Sequence, residues 1–183
     1  IKQLEKNYII PVILDGKNAY ISRTGYSGEE FGYEIFVHPD QIKDVWMKLL
    51  AAGDRYGIKP IGMDARESLR IEAGFTRIGR ELSGPLNINP FSSGHAQFIK
   101  TLKPWFIGRN AYLQKEAEQS ARIVRFVFND AGVHPPALGS HVFDKAGTKI
   151  GAVTSATIDS DGKTVGLAYV KKGFAKKGSS LYI

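Results

Sequence analysis

Cysteine is absent from the 183 residues. That excludes a disulfide framework, thiolate metal sites, iron–sulfur ligation and a cysteine nucleophile. Histidine is scarce, and His38, His95, His134 and His141 are scattered without metal-ligand spacing, so no metal is expected. No stretch approaches the ~20 uninterrupted apolar residues that a membrane-spanning helix needs. A phosphate-cradling Walker loop, a dinucleotide fingerprint, a nucleophile elbow and a zinc motif are all missing. The chain opens on Ile1, with Lys2, Glu5 and Lys6 close behind, a polar start without a signal core. It reads as a piece of something longer, or a processed product.

What is present is ordinary globular material. Hydrophobic residues make up 43% and aromatics 11%, too much for a disordered chain. The length suits one sizeable core, or one domain plus a small second one. The net charge of +7 is unevenly placed: residues 1–99 hold 12 basic and 12 acidic side chains, residues 100–183 hold 13 and 6. Such a one-sided field suits an anionic partner, whether nucleic acid, an acidic protein or a polyanionic cofactor. A lysine-rich solvated surface is the plainer reading.

Hydrophobic alternation predicts strands at Tyr8–Leu14, Ala19–Arg23 and Tyr33–Val37, with Pro11 pushing the first toward a sheet edge. Asp15-Gly16-Lys17-Asn18 is the turn of a hairpin. Behind an N-cap at Asp40, the spacing of Ile42, Val45, Trp46, Leu49 and Leu50 predicts an amphipathic helix. A second helix opens near Asp64 and runs to about Ala73, with Gly74 past its end. Residues 76–107 carry turn formers and little periodicity, which points to a functional or covering loop. After a short helix at Arg109–Glu118 the texture becomes all-β. Strands are expected at Ile123–Phe128, His141–Phe143, Lys149–Thr157, Val165–Val170 and Ser180–Ile183. The expected fold class is α+β, residues 1–118, followed by a small β-barrel, residues 119–183.

Two segments carry candidate chemistry. In Arg23-Thr-Gly-Tyr-Ser-Gly-Glu-Glu-Phe-Gly-Tyr-Glu34, a glycine-rich turn joins two strands. It carries Tyr26, and Glu34 projects from the returning strand. A carboxylate there can accept two parallel hydrogen bonds from a heterocycle presenting an amino group beside a ring N–H, the edge of a pterin or a guanine. The plainer reading is a solvated surface hairpin. In Asp64-Ala-Arg-Glu-Ser-Leu-Arg-Ile-Glu-Ala-Gly74, Arg66 and Arg70 share a helix face and suit an anionic group. The plainer reading puts Glu67, Arg70 and Glu72 in weak surface ion pairs. Phe106–Leu113 and Ile150–Ser155 hold no nucleophile–base pair and look like packing segments.

Taken in order, R-T-G-Y-S-G-E, G-Y-E, D-A-R-E-S-L-R-I-E-A-G, F-I-G-R-N-A-Y-L and K-I-G-A-V-T-S resemble the glycine cleavage T-protein family. The resemblance covers about Tyr8 to Ile183 and corresponds to the C-terminal half of a member. It implies a folate-binding α+β body followed by a small barrel, and a tetrahydrofolate-dependent aminomethyltransferase. Such an enzyme takes its aminomethyl group from a lipoyl carrier, the H-protein. Folate-binding roles then fall on Glu34, Tyr26 and Arg66. The catalytic aspartate is expected in the N-terminal half, the missing partner of this chain, so the fragment alone should be inactive. The resemblance also implies a cytoplasmic location, or the mitochondrial matrix in a eukaryote.

Some positions depart from the family pattern. Glu29-Glu30-Phe31-Gly32-Tyr33-Glu34 has one extra residue, which leaves Glu30 as an alternative to Glu34. Gln97 stands where an aromatic wall is usual, and Phe75 where some relatives have tyrosine. Related folate-dependent demethylases, acting on dimethylsulfoniopropionate or methylated glycines, share the motifs. Non-catalytic folate-binding relatives carry a cysteine segment that is absent here. Lys145, Lys149, Lys171, Lys172, Lys176 and Lys177 could steer an acidic carrier. Neither a nucleic-acid partner nor a membrane is expected, since no helix-turn-helix or RNP motif accompanies the basic strands.

Overall fold

Asp15 and Gly16 both take positive φ, 53° and 73°, as a two-residue hairpin turn matched to strand twist requires. This turn fixes the register of the first sheet in the computed structural model, which describes residues 4–82, 84 and 86–183. The chain divides into two compact units, Ile1–Leu69 and Arg70–Ile183. The boundary expected near residue 119 lies inside the second unit.

In the first unit, β1 (Ile9–Leu14), β2 (Lys17–Ser22) and β3 (Glu34–Val37) form an antiparallel sheet in that order. Pro11 sits on the edge strand, where its missing N–H costs no ladder bond. Ala19 and Ile21 are buried on one face of the sheet. The opposite face leaves Ile9, Ile13, Tyr20 and Phe36 between 51% and 68% exposed. Helix α1 (Ile42–Gly53) is tied to the hairpin by Lys17 Nζ on Asp44 Oδ2 at 3.0 Å and by an ion pair of Lys48 with Asp15.

Two expectations for α1 need correction. A 3-10 turn at Pro39–Gln41 precedes it, because Pro39 with its fixed φ starts the helical path early. His38 caps that turn, accepting the Asp40 N–H, and Gln41 leads into α1 without a side-chain cap. Of the anticipated stripe, Val45 is buried, whereas Ile42, Trp46 and Leu49 remain exposed.

Helix α2 (Met63–Ala73) runs across the division between the units. It ends as the sequence suggests: Gly74 at φ 80° donates to Ile71 O, and Phe75 N–H reaches back to Arg70 O, both at 2.9 Å. That pairing is a Schellman motif, and glycine supplies its left-handed residue without strain.

In the second unit, the described residues of 76–107 form turns, a 3-10 turn at Ala96–Phe98 and isolated bridges around Leu82. Helix α3 (Arg109–Ala117) leads to β4 (Ala121–Ala131), β5 (His141–Phe143), β6 (Lys149–Ile158) and β7 (Lys163–Lys171). These strands form an antiparallel sheet of order β4-β7-β6-β5. Val142, Val153, Ala168 and Val170 are fully buried in its core, with Ile150 beside them. The strand expected at Ser180–Ile183 reduces to one bridge, in which Phe143 and Tyr182 exchange N–H···O bonds of 2.8 and 3.0 Å. The architecture is thus mixed α and β with two antiparallel sheets. Among the described residues no helix is long and apolar enough to cross a membrane.

Candidate functional site

The three residues singled out for ligand binding all lie in the first unit. Glu34 opens β3, paired across the sheet with Ser22. Its Oε2 accepts a 2.6 Å hydrogen bond from Thr24 Oγ1, and Thr24 Oγ1 lies 2.7 Å from Ser22 Oγ. Glu34 is otherwise open to solvent. Between β2 and β3 the chain forms a loop whose neck is two glycines in backbone contact. A Cβ on Gly32 would meet Thr24 O at 2.9 Å and the Gly25 Cα at 3.3 Å. Within the loop the Arg23 guanidinium stacks on the Phe31 ring at 4.6 Å, and Arg23 Nη1 donates to Leu4 O at 2.9 Å. Tyr26 is 43% exposed, and the Arg66 guanidinium lies 5.9 Å from its ring centre. That is the outer edge of cation–π range. Glu30 sits exposed on the loop rather than on the strand.

The structure therefore pairs Glu34 with Thr24 and Tyr26 with Arg66. The first pair offers a planar anionic acceptor, and the second an aromatic face beside a fixed positive charge. Among the described residues no group of histidine, aspartate and glutamate is placed to hold a metal.

Arg66 and Arg70 meet different fates although they are four residues apart. The expectation of weak surface ion pairs around Arg70 is overturned: Arg70 is 2% exposed and Glu81 fully buried. Arg70 Nη1 donates to Glu81 Oε2 at 3.2 Å and to Phe75 O at 2.9 Å, and Nη2 donates to Ser155 Oγ at 2.8 Å. The Ser155 hydroxyl donates in turn to Glu81 Oε1, and Arg77 N–H reaches Glu81 Oε2 at 2.9 Å. Ser155 stands at a register shift in the β6–β7 pairing. The segment read as simple packing thus supplies part of a buried polar network. Nothing periodic in residues 76–107 marked Glu81, because the side chains that hold it, Arg70 and Ser155, lie outside that segment. With every strong acceptor engaged, this network holds structure rather than a ligand.

Other segments play smaller parts. Gln97 and Phe75 are exposed. A cavity of about 370 Å³ is lined by Ile88, Ile99, Phe106, Ile107 and Tyr112. Burial, and then the charge of Glu116, push the Tyr112 hydroxyl above its ordinary value. None of the three site residues lines it.

Comparison with known proteins decides the lineage. Residues 8–103 match the model of the GCVT N-terminal domain. The chain belongs to the glycine cleavage T-protein family. An aminomethyltransferase of Chloroherpeton thalassium is 37% identical to this T-protein relative over 169 residues, covering 92% of the chain and 45% of that protein. One from Alkaliphilus metalliredigens is 38% identical over 175 residues, covering 94% and 46%. The crystal structure of glycine cleavage system aminomethyltransferase T from Bartonella henselae superposes with a TM-score of 0.77 at 28% identity, covering 89% of the chain and 44% of that structure. The chain spans about half the length of the T-proteins it matches.

Proposed function

We propose that this chain forms the folate-gripping part of a tetrahydrofolate-dependent aminomethyltransferase, the activity belonging to a polypeptide of the relatives' full length. The observation that carries the reading is the Glu34 carboxylate. One of its oxygens is held by Thr24, and the rest of its accepting edge faces solvent. A reduced pterin presents a matching pair of N–H donors, and a bidentate charge-assisted pair is among the stronger polar contacts available to a protein. The residues present fit the ligand: Glu34 accepts from its amino-amide edge, Tyr26 offers an apolar face, and Arg66 supplies positive charge toward its anionic end. Tetrahydrofolate, when bound, supplies the nitrogen that accepts the one-carbon unit. Placement of Glu34 on the strand and of Glu30 on the loop supports Glu34 as the contact.

The catalytic aspartate is proposed to come from the complementary half of the relatives' length, so the chain alone binds folate weakly and turns nothing over. The second sheet, with Tyr182 bridging Phe143, is proposed as the small C-terminal barrel of residues 119–183. Its exposed Lys145, Lys149, Lys171, Lys172, Lys176 and Lys177 are proposed to steer an acidic lipoyl carrier, the H-protein. The bacterial relatives support a cytoplasmic location.

Titration of tetrahydrofolate into the 183-residue chain, followed by NMR, tests the reading. Shifts are expected at Thr24, Tyr26 and Glu34, with Glu34→Gln weakening binding by about tenfold or more and Glu30→Gln leaving it unchanged. Unaltered affinity in Glu34→Gln overturns it.

A further inference from the structure

The hydroxyl beside the candidate carboxylate has a direction that can be worked out. An ionised carboxylate only accepts hydrogen bonds, so at 2.6 Å the Thr24 hydroxyl must donate its single proton to Glu34 Oε2. That commitment settles the neighbouring pair. Of Ser22 Oγ and Thr24 Oγ1, 2.7 Å apart, only Ser22 still has a proton to give. The order is therefore Ser22 to Thr24 to Glu34, a two-hydroxyl relay running from a 6% exposed serine out to a solvent-facing carboxylate. Each bond polarises the next, and the second is of the charge-assisted kind.

We propose that Thr24 is a positioning residue for the ligand-binding carboxylate, holding Glu34 in one rotamer with its free edge turned outward before any ligand arrives. The proposal rests on the reading of Glu34 as the pterin contact. A free glutamate on a strand samples several staggered rotamers, and ordering it on binding detracts from affinity. Anchored at Oε2, the carboxylate keeps Oε1 and the remaining Oε2 lone pair for a partner offering two parallel donors. Ser22 is the inner end of the device: its hydroxyl fixes the Thr24 rotor, and its place opposite Glu34 in the β2–β3 ladder ties both to the sheet. The arrangement favours a ligand edge carrying two N–H groups and disfavours one carrying an acceptor, because the relay leaves no proton facing outward.

The test compares Thr24→Val, which keeps the shape and removes the hydroxyl, with Thr24→Ser, which restores it. Tetrahydrofolate titrations by NMR on the 183-residue chain should show about tenfold weaker binding for Thr24→Val and a value within about twofold of wild type for Thr24→Ser. Unchanged β2–β3 amide shifts in both variants show that the sheet is intact. If Thr24→Val binds as tightly as wild type while Glu34→Gln does not, the positioning role is overturned and the pterin reading stands. If Glu34→Gln also binds as wild type, the pterin reading fails, and a second measurement then decides the Thr24 role without folate. Three-bond couplings at Glu34 should report one side-chain rotamer in wild type and Thr24→Ser, and averaging in Thr24→Val. Identical couplings in all three overturn the proposal.

Discussion

The two sheets of this protein treat their apolar side chains in opposite ways. The four-stranded sheet closes over its own: Val142, Val153, Leu167, Ala168 and Val170 lose all contact with water. The three-stranded sheet buries Ala19 and Ile21 on one side but leaves Ile9, Ile13, Tyr20 and Phe36 half open on the other. A sheet with one dry face and one wet apolar face has not spent its hydrophobic surface on its own stability. The candidate carboxylate lies on that unfinished sheet, and the buried ion pair lies with the finished one. On the proposed reading of Glu34, stability and recognition are carried by different strands, and substitutions should separate them.

The sharpest separation is expected at Glu81. Removing this buried carboxylate leaves Arg70 and Ser155 facing each other without their shared acceptor. Glu81→Ala should therefore destabilise the second unit by about 3–5 kcal/mol in urea unfolding. A loss below about 1 kcal/mol would show that the network does not hold the finished sheet. Next comes a matched truncation. Leu167→Ala should cost about 3 kcal/mol, the range for a buried leucine, whereas Phe36→Ala should cost under about 1 kcal/mol. Equal losses at the two positions would erase the contrast between the sheets.

The smallest effect concerns pH. The hydrogen bond and then the charge of Lys17 hold the Asp44 carboxyl below its ordinary value of 3.8. A depressed native value means that the unfolded chain binds the proton more readily. The pair's stabilisation is therefore present above the ordinary value and fades as pH falls through the native one. Lys17→Gln should slightly lower first-unit stability near neutrality, and the difference from wild type should close as pH falls below about 4, which flattens the acid limb. Both groups are exposed, so the effect is small and vanishes in high salt.

Much of the fold was legible because it rests on local rules. The Asp15-Gly16 turn, the edge position of Pro11, Gly74 at the end of α2 and the β5 bounds at His141–Phe143 follow from chain conformation over a few residues. Less legible was whatever depends on a distant partner. Arg70 looked like a surface residue because its partners, Glu81 and Ser155, lie 11 and 85 positions away. The amphipathic stripe of α1 was correctly periodic, yet periodicity says which side chains share a face and not whether anything covers it. Similarly, Glu34, Tyr26 and Arg66 could be named from the motifs. The hydrogen bond from Thr24 needed the geometry of the loop.

The glycine neck between β2 and β3 has a consequence for how such a protein can change. Because the chain pinches shut where Gly25 and Gly32 touch, the six residues looping out beyond them do not set the register of the strands. A codon gained or lost there alters the length of the bight and leaves the alignment of Ser22 with Glu34 as it was. Insertions at this spot thus shift where Tyr26 is carried without moving the strands, while a methyl placed on Gly32 would press on the Thr24 carbonyl oxygen and force the pinch open.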